Sequence, residues 1–301
     1  MTAVPAQAVR LPRLNLIGAG RVGCSLAALW QQAGVFQVQD VQTRHTASAE
    51  AAVAEIGAGR AAPPGQALRP AEVWLIATPD TQINTAAAAL ALHSPQASEV
   101  DTVPQAWHCS GFLPAAALAP LQALGWACAS AHPALSFANP AAARAQFAGT
   151  PCALEGDAAA VAQAQLALAA IGGQCFDLAS ADKPLYHAAA VLSSNFLPVL
   201  QAAAAELWRG TGMPEALVAP LWQGFVKNVS ANLLNLAEHG PAAALTGPAA
   251  RGDQAVIAAH AAALSARDPV LGQAYAALSE LAGRLAAQGQ VLPPGPETTQ
   301  P

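Results

Sequence analysis

The stretch Leu14-Asn15-Leu16-Ile17-Gly18-Ala19-Gly20-Arg21-Val22-Gly23 decides the fold of this chain. Residues of strand character lead into three glycines spaced Gly-x-Gly-x-x-Gly. Apolar residues then recur at helical spacing, and a second alternating segment begins at Val35. The first glycine permits a tight turn, the second lets the backbone approach a pyrophosphate, and the third lets the helix pack closely on the sheet. The stretch therefore predicts the opening βαβ unit of a dinucleotide-binding domain, with these cofactor-binding residues: Gly18, Gly20, Arg21, Val22 and Gly23.

The residues after the second predicted strand indicate which dinucleotide is bound. An NAD site usually carries Asp or Glu there, to accept hydrogen bonds from the ribose 2′-hydroxyl, but this chain has Thr43 and Arg44. A hydroxyl and a guanidinium suit a 2′-phosphate. Asp40 lies inside the strand, too early to reach the ribose. The sequence therefore favours NADP(H) over NAD(H), and the alternative is that Arg44 is simply a solvated loop cation.

Three later strands are each predicted to end in a polar or tight turn. Residues 71–77 lead into Thr78-Pro79-Asp80, residues 103–108 into His108-Cys109-Ser110-Gly111, and residues 125–131 into His132-Pro133. Carboxyl ends of parallel strands meet at one edge of the sheet, where cofactors lie in this architecture. We therefore assign Thr78, Pro79 and Ser110 to the cofactor, and Ser110 and His132 also to the substrate. A turn-capping role is the alternative for His132, and Cys109 lacks a nearby base that would make it a nucleophile.

Strands alternate with helices from residue 13 to about residue 178, and no strand pattern returns after Ser180. The fold class predicted is α/β, with a doubly wound Rossmann domain followed by an all-α C-terminal domain. We expect a cofactor domain over residues 1–180, a helical substrate and dimerisation domain over 181–290, and a disordered tail over 291–301. Predicted helices in the second half cover residues 184–210, 214–239, 252–264 and 269–288.

Composition excludes several functional classes. The 301 residues are 54% hydrophobic and 10% charged, with a net charge of −5 and scattered basic residues, so we expect no nucleic-acid partner. Residues 1–12 lack the apolar core of a signal peptide, and polar residues or proline interrupt the alanine-rich stretches, so we expect no membrane partner. The five cysteines show no metal-binding spacing, which predicts no metal site. Buried thiols in a reducing, cytoplasmic compartment explain them.

Polar residues cluster in the second half, against an alanine-rich background. The cluster contains Lys183, Tyr186, His187, Ser193, Ser194 and Asn195. His187 and Ser194 are seven residues apart and share one helical face. Carbonyl reduction needs a proton donor and hydrogen-bond donors for a substrate carboxylate. We therefore predict Lys183, His187 and Asn195 as catalytic residues and Ser194 as substrate-binding. Helix–helix contact is the alternative.

A second polar group lies in the segment Thr246-Gly247-Pro248-Ala249-Ala250-Arg251-Gly252-Asp253. Its arginine could bind a substrate carboxylate through two parallel hydrogen bonds, so Arg251 is predicted as substrate-binding. The alternative is a loop ion pair between Arg251 and Asp253.

The sequence also resembles a two-domain family with a Rossmann-like NADP domain and a C-terminal helical domain of unknown function. The matching stretches are residues 18–23, 108–111, 132–133, 183–187 with 194–196, and 245–253. This family is similar to ketopantoate reductase, pyrroline-5-carboxylate reductase and the deazaflavin-dependent NADP reductases. The resemblance implies ketopantoate as one candidate substrate, and a homodimer formed through the helical domain with the site between domains.

Together these observations predict an NADPH-dependent reductase of a small 2-oxo acid. Two alternatives stay open. One is reduction of a cyclic imine, such as a pyrroline carboxylate, by the same hydride chemistry. The other is a non-catalytic NADP(H)-binding sensor or scaffold.

Overall fold

The computed structural model describes residues 10–93, 102–234, 240, 243 and 245–293. The chain divides into two compact units, one ending at Pro198 and the other beginning at Val199. The first unit contains the sheet and the helices packed on it, and the second is helical. The predicted fold class is confirmed: a Rossmann-like α/β domain is followed by a helical region.

The first unit is built on an eight-stranded sheet. Its strands are β1 (Arg13–Ile17), β2 (Gln37–Gln42), β3 (Arg60–Ala62), β4 (Val73–Ile76), β5 (Gln105–His108), β6 (Ala127–Pro133), β7 (Pro151–Gly156) and β8 (Gln174–Asp177). The spatial order is β3-β2-β1-β4-β5-β6-β7-β8. Neighbouring strands are parallel except β6 and β7. The winding direction reverses between β1 and β4, which is where this class of fold opens a ligand crevice.

Eight helices of the described chain begin before Val199. They are α1 (Arg21–Gln32), α2 (Thr46–Ile56), α3 (Asp80–His93), α4 (Ala119–Gln122), α5 (Pro140–Ala145), α6 (Ala158–Ala169), α7 (Lys183–Ser194) and α8 (Phe196–Gly210). The sequence patterns missed α4 and α5, which are short. They also missed β3, because its three residues lie in a glycine- and proline-rich stretch interpreted as loop.

Both faces of the sheet are buried, because strand side chains alternate between two apolar clusters. In β4, Val73 and Leu75 join the cluster under α1, α2, α5 and α6, whereas Trp74 and Ile76 join the cluster under α3 and α4. The indole N–H of Trp30 also donates to the carbonyl of Ala167 at 2.8 Å, which ties α1 to α6. Each fully buried Leu or Phe contributes about 2–3 kcal/mol to the stability of the fold. This two-sided core therefore fixes the residues at the carboxyl ends of the strands.

The reversal between β6 and β7 determines where α7 begins. The last residue of β8, Asp177, pairs with Leu154, and Leu154 pairs with Ala131 of β6. Asp177, where the chain leaves the sheet, is therefore level with Ala131, the residue before His132. A short 3₁₀ turn at Ser180–Asp182 leads directly into α7. The first turns of α7 are thereby delivered next to the carboxyl end of β6.

The helix predicted over residues 184–210 is found, but it is interrupted at Asn195, where α7 ends and α8 begins although the backbone stays helical (φ −75°, ψ −31°). Two local features explain the break. Pro198 cannot donate a backbone hydrogen bond to the preceding turn. The hydroxyls of Ser193 and Ser194 also lie 2.9 and 2.7 Å from the carbonyls four residues earlier, an arrangement that bends helices.

The second unit is helical throughout its described part. After the end of α8 it contains α9 (Glu215–Leu234), α10 (Pro248–Arg251), α11 (Gln254–Arg267) and α12 (Pro269–Gln288). The segment predicted as an interhelical loop thus contains the one-turn helix α10. Residues 235–239, predicted to end the helix before it, and residues 294–301, most of the predicted disordered tail, lie outside the described residues.

One helical run in the described chain, Ser180–Gly210, is long and apolar enough to cross a membrane by length and composition alone. Its most apolar 18-residue window has a mean hydropathy of 1.4 and is not buried. A single run of this kind is weak evidence, since core helices of water-soluble proteins pass the same test. This run also carries Lys183, His187 and Asn195, which a lipid-facing segment would not be expected to contain.

Candidate functional site

A cavity of about 1040 Å³ opens at the carboxyl edge of the parallel strands in the first unit. Its wall is formed by the turns after β1, β4, β5 and β6 and by one side of α7. Predicted site residues on this wall are Gly20, Arg21, Val22, Thr78, Pro79, Ser110, His132, His187, Ser194 and Asn195. One cavity thus brings the glycine-rich turn together with the polar face of α7.

The glycine-rich turn has the geometry that its spacing predicts. Gly18 has φ +77°, and a Cβ on it would lie 2.7 Å from Cγ2 of Thr78. Gly23 meets Ala77 in the same way, so α1 lies directly against the end of β4. Gly20 is exposed on the cavity wall, and α1 has neither a side-chain cap nor an acidic residue in its first turn. The free N–H groups of that turn are therefore available to an anion.

The residues after β2, Thr43 and Arg44, are not among those that line the cavity, and the Thr43 hydroxyl donates to the carbonyl of His45 at 2.7 Å. Thr43 and Arg44 follow β2 directly, and Arg44 is exposed. The Asp40 carboxylate is fully buried and lies 2.7 Å from the guanidinium of Arg69 and 3.1 Å from that of Arg60. Hydrogen bonding to Arg69 holds the pKa of Asp40 below its usual value, although burial opposes this. The Asp40 carboxylate is therefore held by two arginines and stabilises the fold.

Ser110 organises the turn after β5. Its hydroxyl donates to Oδ2 of Asp80 at 2.7 Å and accepts from the backbone N–H groups of Phe112 and Leu113. Its own N–H donates to Nδ1 of His108 at 3.1 Å. The other ring nitrogen of His108 donates to the Pro114 carbonyl at 3.0 Å, and burial lowers the pKa of His108 to about 4. His108 is thus a neutral structural group, and the Ser110 hydroxyl is fully used within the turn.

The structure places Lys183 behind the cavity wall, which differs from the predicted role as a proton donor. Its side chain is buried, and its ammonium donates to the Ser130 hydroxyl at 2.7 Å and to the Ser110 carbonyl at 3.1 Å. Burial lowers the pKa of Lys183. Helical spacing predicts that Lys183 lies near the helix face that carries His187. In the fold, however, the first turn of α7 abuts β5 and β6, so the lysine points into the sheet edge.

Two histidines of the cavity wall, His132 and His187, meet at Gly111. A Cβ on this glycine would lie 2.7 Å from Nδ1 of His187 and 2.9 Å from Nε2 of His132. The two rings pack edge to face, with centroids 6.2 Å apart. Nδ1 of His187 is buried and finds no hydrogen-bond partner among the described residues, as is also true of the Thr78 hydroxyl. Both residues line the cavity, but these two polar atoms are themselves buried beneath its surface.

His132 is also hydrogen-bonded to a residue that the sequence did not single out for catalysis. Its Nδ1 lies 2.9 Å from the hydroxyl of Tyr186, which lines the cavity beside it. Burial lowers the pKa of His132 to about 4 and raises the pKa of Tyr186. The sequence placed Tyr186 in the polar cluster, but no sequence signal linked it to a strand end 54 residues away.

Two further predicted residues, Ser194 and Asn195, lie at the end of α7 and are exposed. The Ser194 hydroxyl is 2.7 Å from Oδ1 of Asn195, which leaves the amide N–H₂ of Asn195 free to donate. Asp80 and Ser136 also line the cavity but were not predicted as site residues. The signal for Asp80 was present, since it directly follows Thr78-Pro79 at a strand end.

Three of the cysteines, Cys24, Cys128 and Cys152, are buried, and Cys109 and Cys175 are partly exposed. Cys109 lies on the cavity wall, and burial raises its pKa to about 12. The pKa values of Cys128 and Cys152 are likewise raised to about 12 and that of Cys24 to about 11, in each case chiefly by burial. At neutral pH Cys109 is therefore protonated and is a poor nucleophile.

Arg251 lies in the second unit and forms the alternative contact, an ion pair with Asp253 at 2.9 Å. Asp253 makes no side-chain cap on α11, because its carboxylate is turned toward the guanidinium. The guanidinium remains largely exposed, with a side-chain exposure of 63%.

The fold and the site together define the class of protein. It has an open, doubly wound α/β domain, with a glycine-rich turn and a ligand-sized cavity at the point where the strand order reverses. Residues 2–133 match the model described as a Rossmann-like domain. Residues 150–282 match a second model, described as a domain of unknown function (DUF2520). No curated protein matches the sequence.

Solved structures give the same fold. A protein of Bacteroides fragilis, provisionally described as an NADP oxidoreductase, has a TM-score of 0.69 and 20% identity and covers 92% of this chain and 100% of its own. Protein TM1727 of Thermotoga maritima has a TM-score of 0.67 and 24% identity, covering 92% and 99%. A 1-pyrroline-5-carboxylate reductase of Streptococcus pyogenes has a TM-score of 0.57 and 14% identity, covering 91% and 99%.

Proposed function

We propose that this protein is an NADPH-dependent reductase of a small 2-oxo acid. One observation supports the proposal above the others: a single cavity joins the uncapped N-terminus of α1 to the polar face of α7. A dinucleotide bound at the first would present its nicotinamide to a substrate held by the second. The descriptions of structurally similar proteins as an NADP oxidoreductase and a pyrroline-5-carboxylate reductase agree with this chemistry.

The residues fit the cofactor. Gly20 leaves its side of the cavity open, and the first-turn N–H groups of α1 would receive the pyrophosphate. Thr78 lines the cavity beside that turn, with its methyl group against Gly18. Thr43 and Arg44 would hold the 2′-phosphate. Since Asp40 is committed to Arg69, no carboxylate inside β2 is free to favour the NAD ribose.

The substrate side of the cavity carries imidazole, amide and hydroxyl groups. His187 on the cavity wall and Asn195, through its free amide, would orient the substrate, with Ser194 holding the amide. When bound, NADPH supplies the hydride that reduces the carbonyl carbon. Ketopantoate is one candidate substrate. A cyclic imine is the alternative, and a non-catalytic NADP(H) sensor is the alternative from another class.

We also propose that a second copy of the chain covers the exposed apolar side chains of α7, α8 and α9. In the single chain these side chains include Leu192 at 62% exposure, Val199 at 62% and Leu217 at 55%. Patches of this kind mark interaction surfaces in water-soluble proteins. A homodimer in the cytoplasm remains the expectation, and sedimentation equilibrium would test the assembly.

Calorimetry tests the cofactor assignment. Wild-type protein should bind NADPH more tightly than NADH, and Arg44→Ala should weaken NADPH at least tenfold while changing NADH less than threefold. Arg284→Ala, which removes an exposed guanidinium from α12, is the matched control and should change neither affinity. Equal losses for both nucleotides in Arg44→Ala would contradict the NADP assignment.

Turnover separates the candidate activities. NADPH oxidation should be seen with a 2-oxo acid in a panel that also contains cyclic imino acids. If only the cyclic imino acids are reduced, the substrate class is cyclic imines and not 2-oxo acids. Binding of NADPH with no oxidation by any panel member would favour the sensor.

A further inference from the structure

The strongest unassigned feature of the cavity is the Tyr186–His132 pair. The phenol oxygen and Nδ1 are 2.9 Å apart, and the two rings pack edge to face with centroids 5.4 Å apart. Phe176 packs edge to face on the other side of Tyr186, at 6.1 Å. Both members of the pair line the cavity. The phenol is therefore fixed by two rings at a place where substrate atoms can reach it.

The imidazole of His132 is also fixed in orientation. Its Nε2 edge lies against Gly111, where a Cβ would already be too close, and the ring contacts that of His187. Rotation of the ring would therefore break the Tyr186 hydrogen bond without offering Nδ1 another partner. Because its pKa is lowered to about 4, the ring is neutral near pH 7 and carries one N–H.

A neutral ring allows two arrangements. If Nε2 carries the proton, Tyr186 donates its only hydrogen to Nδ1 and has none for a ligand. If Nδ1 carries the proton, it donates to the phenol oxygen, and the Tyr186 O–H is free to point into the cavity. Only the second arrangement makes the phenol an acid toward a bound molecule.

We propose that Tyr186 is the catalytic proton donor to the substrate oxygen and that His132, donating from Nδ1 to the phenol oxygen, is its positioning residue. This inference rests on the proposed reductase function. In the step, a C–H bond forms at the carbonyl carbon as NADPH is oxidised to NADP⁺, and the C=O π pair becomes the lone pair of an alkoxide. The Tyr186 O–H bond breaks as the alkoxide gains the proton. The phenolate accepts the His132 N–H hydrogen bond until water reprotonates it.

The placement of other polar groups supports this choice of donor. The ammonium of Lys183 is directed at Ser130 and Ser110, behind the wall. The Ser110 hydroxyl is committed to Asp80. The hydroxyl of Tyr186 remains on the wall, and an Nδ1–H donor on His132 would oppose the rise in its pKa that burial causes.

Kinetics test the catalytic role with an internal control. The sequence has two tyrosines, and Tyr275 makes the same contact with Nδ1 of His260, at 2.8 Å, in the second unit. Tyr186→Phe should lower kcat about 100-fold while KM and the NADPH affinity stay within threefold, and Tyr275→Phe should leave all three unchanged. An unchanged kcat in Tyr186→Phe would overturn the proposal, as would a loss confined to KM.

Substitutions at His132 test the positioning role. Asn places an amide N–H₂ near the position of Nδ1, so His132→Asn should keep kcat within about tenfold of wild type. Leu has no donor, so the kcat of His132→Leu should fall as far as that of Tyr186→Phe. Equal and complete loss in both variants, with the fold intact by circular dichroism, would assign the acid to His132 itself and overturn the proposal.

A measurement without cofactor or substrate separates this inference from the reductase function. Nitrogen-15 NMR of histidine-labelled protein, with His132→Asn used to assign the signals, reports the tautomer of His132. The Nδ1–H form supports the proposal, and the Nε2–H form overturns it whatever the activity. Failure of the wild-type protein to bind NADPH would instead remove the reductase function on which the catalytic role depends.

Discussion

The ammonium of Lys183 donates to the hydroxyl of Ser130 at 2.7 Å, and Ser130 in turn donates to the carbonyl of Ser110 at 3.1 Å. Lys183 also donates to that carbonyl. Three residues from α7, β6 and the turn after β5 thus form a closed hydrogen-bonded triangle beneath the cavity. The triangle fixes the turn that contains Ser110 and Gly111. The ammonium of Lys183 is buried there, and no carboxylate among the described residues contacts it directly.

The pH dependence of stability should reveal the cost of burying Lys183. Its pKa is lowered from 10.5, so the unfolded chain binds more protons in the interval just below 10.5, and stability rises with pH there. Lys183→Met lacks this effect. Urea unfolding at pH 7–10 should therefore show wild type gaining stability relative to Lys183→Met as pH increases. Parallel profiles would mean that the ammonium is better solvated than the structure indicates.

His108 should make the fold sensitive to acid. Its pKa is lowered to about 4 from 6.5, so its contribution is fully present above pH 6.5 and is lost as pH falls toward 4. The shift corresponds to about 3 kcal/mol. His108→Gln should lose less stability than wild type between pH 7 and pH 4.5 in urea titrations. The matched control is His45→Gln, which removes an exposed imidazole. If the stability of the wild-type protein falls with pH no more steeply than that of His108→Gln, this role for His108 is wrong.

Gly111→Ala should disable the cavity. The new Cβ would lie 2.7 Å from Nδ1 of His187 and 2.9 Å from Nε2 of His132, so one ring must move. We expect a stability loss of about 1–3 kcal/mol and at least a tenfold loss of turnover, measured by urea unfolding and steady-state kinetics. Wild-type values for both would show that the two imidazoles have room to relax.

Gly23→Ala should weaken nucleotide binding by displacing α1. A Cβ there would lie 2.7 Å from Cβ of Ala77 and 3.1 Å from the carbonyl oxygen of Gly18. We expect at least a tenfold weaker NADPH affinity in calorimetry. Gly283→Ala is the control, because it lies in α12 with open space around it and should stabilise the protein by about 0.5–1 kcal/mol. Unchanged affinity in Gly23→Ala would mean that the helix can shift without cost.

The sequence predicted the opening of the fold well because the signals were local. Glycines at 18, 20 and 23 and the alternation of β1 and β2 are readable without tertiary context, and the strand ends at Thr78, Ser110 and His132 followed from parallel topology. The three-residue β3 and the short α4 and α5 were missed because they are stabilised by packing and carry little periodicity of their own.

The arrangement of the site was harder to predict. Lys183, His187 and Ser194 share a spacing that suggests one face, but the direction of a long side chain in the first turn depends on what lies beneath it. The polar pocket formed by Ser130 and Ser110, distant in sequence, draws Lys183 away from the cavity. The contact between Tyr186 and His132 depends on the reversal of β7, which no short motif reports.

The thiols described above bear on how this protein can be studied. With the pKa of four cysteines raised to about 11 or 12 and that of Cys175 also raised, little thiolate exists at pH 7 to react with maleimides. A cysteine introduced at an exposed position, such as Gln273 in α12, would accept a fluorophore selectively. A single fluorophore can therefore be placed on this chain without first replacing its native cysteines.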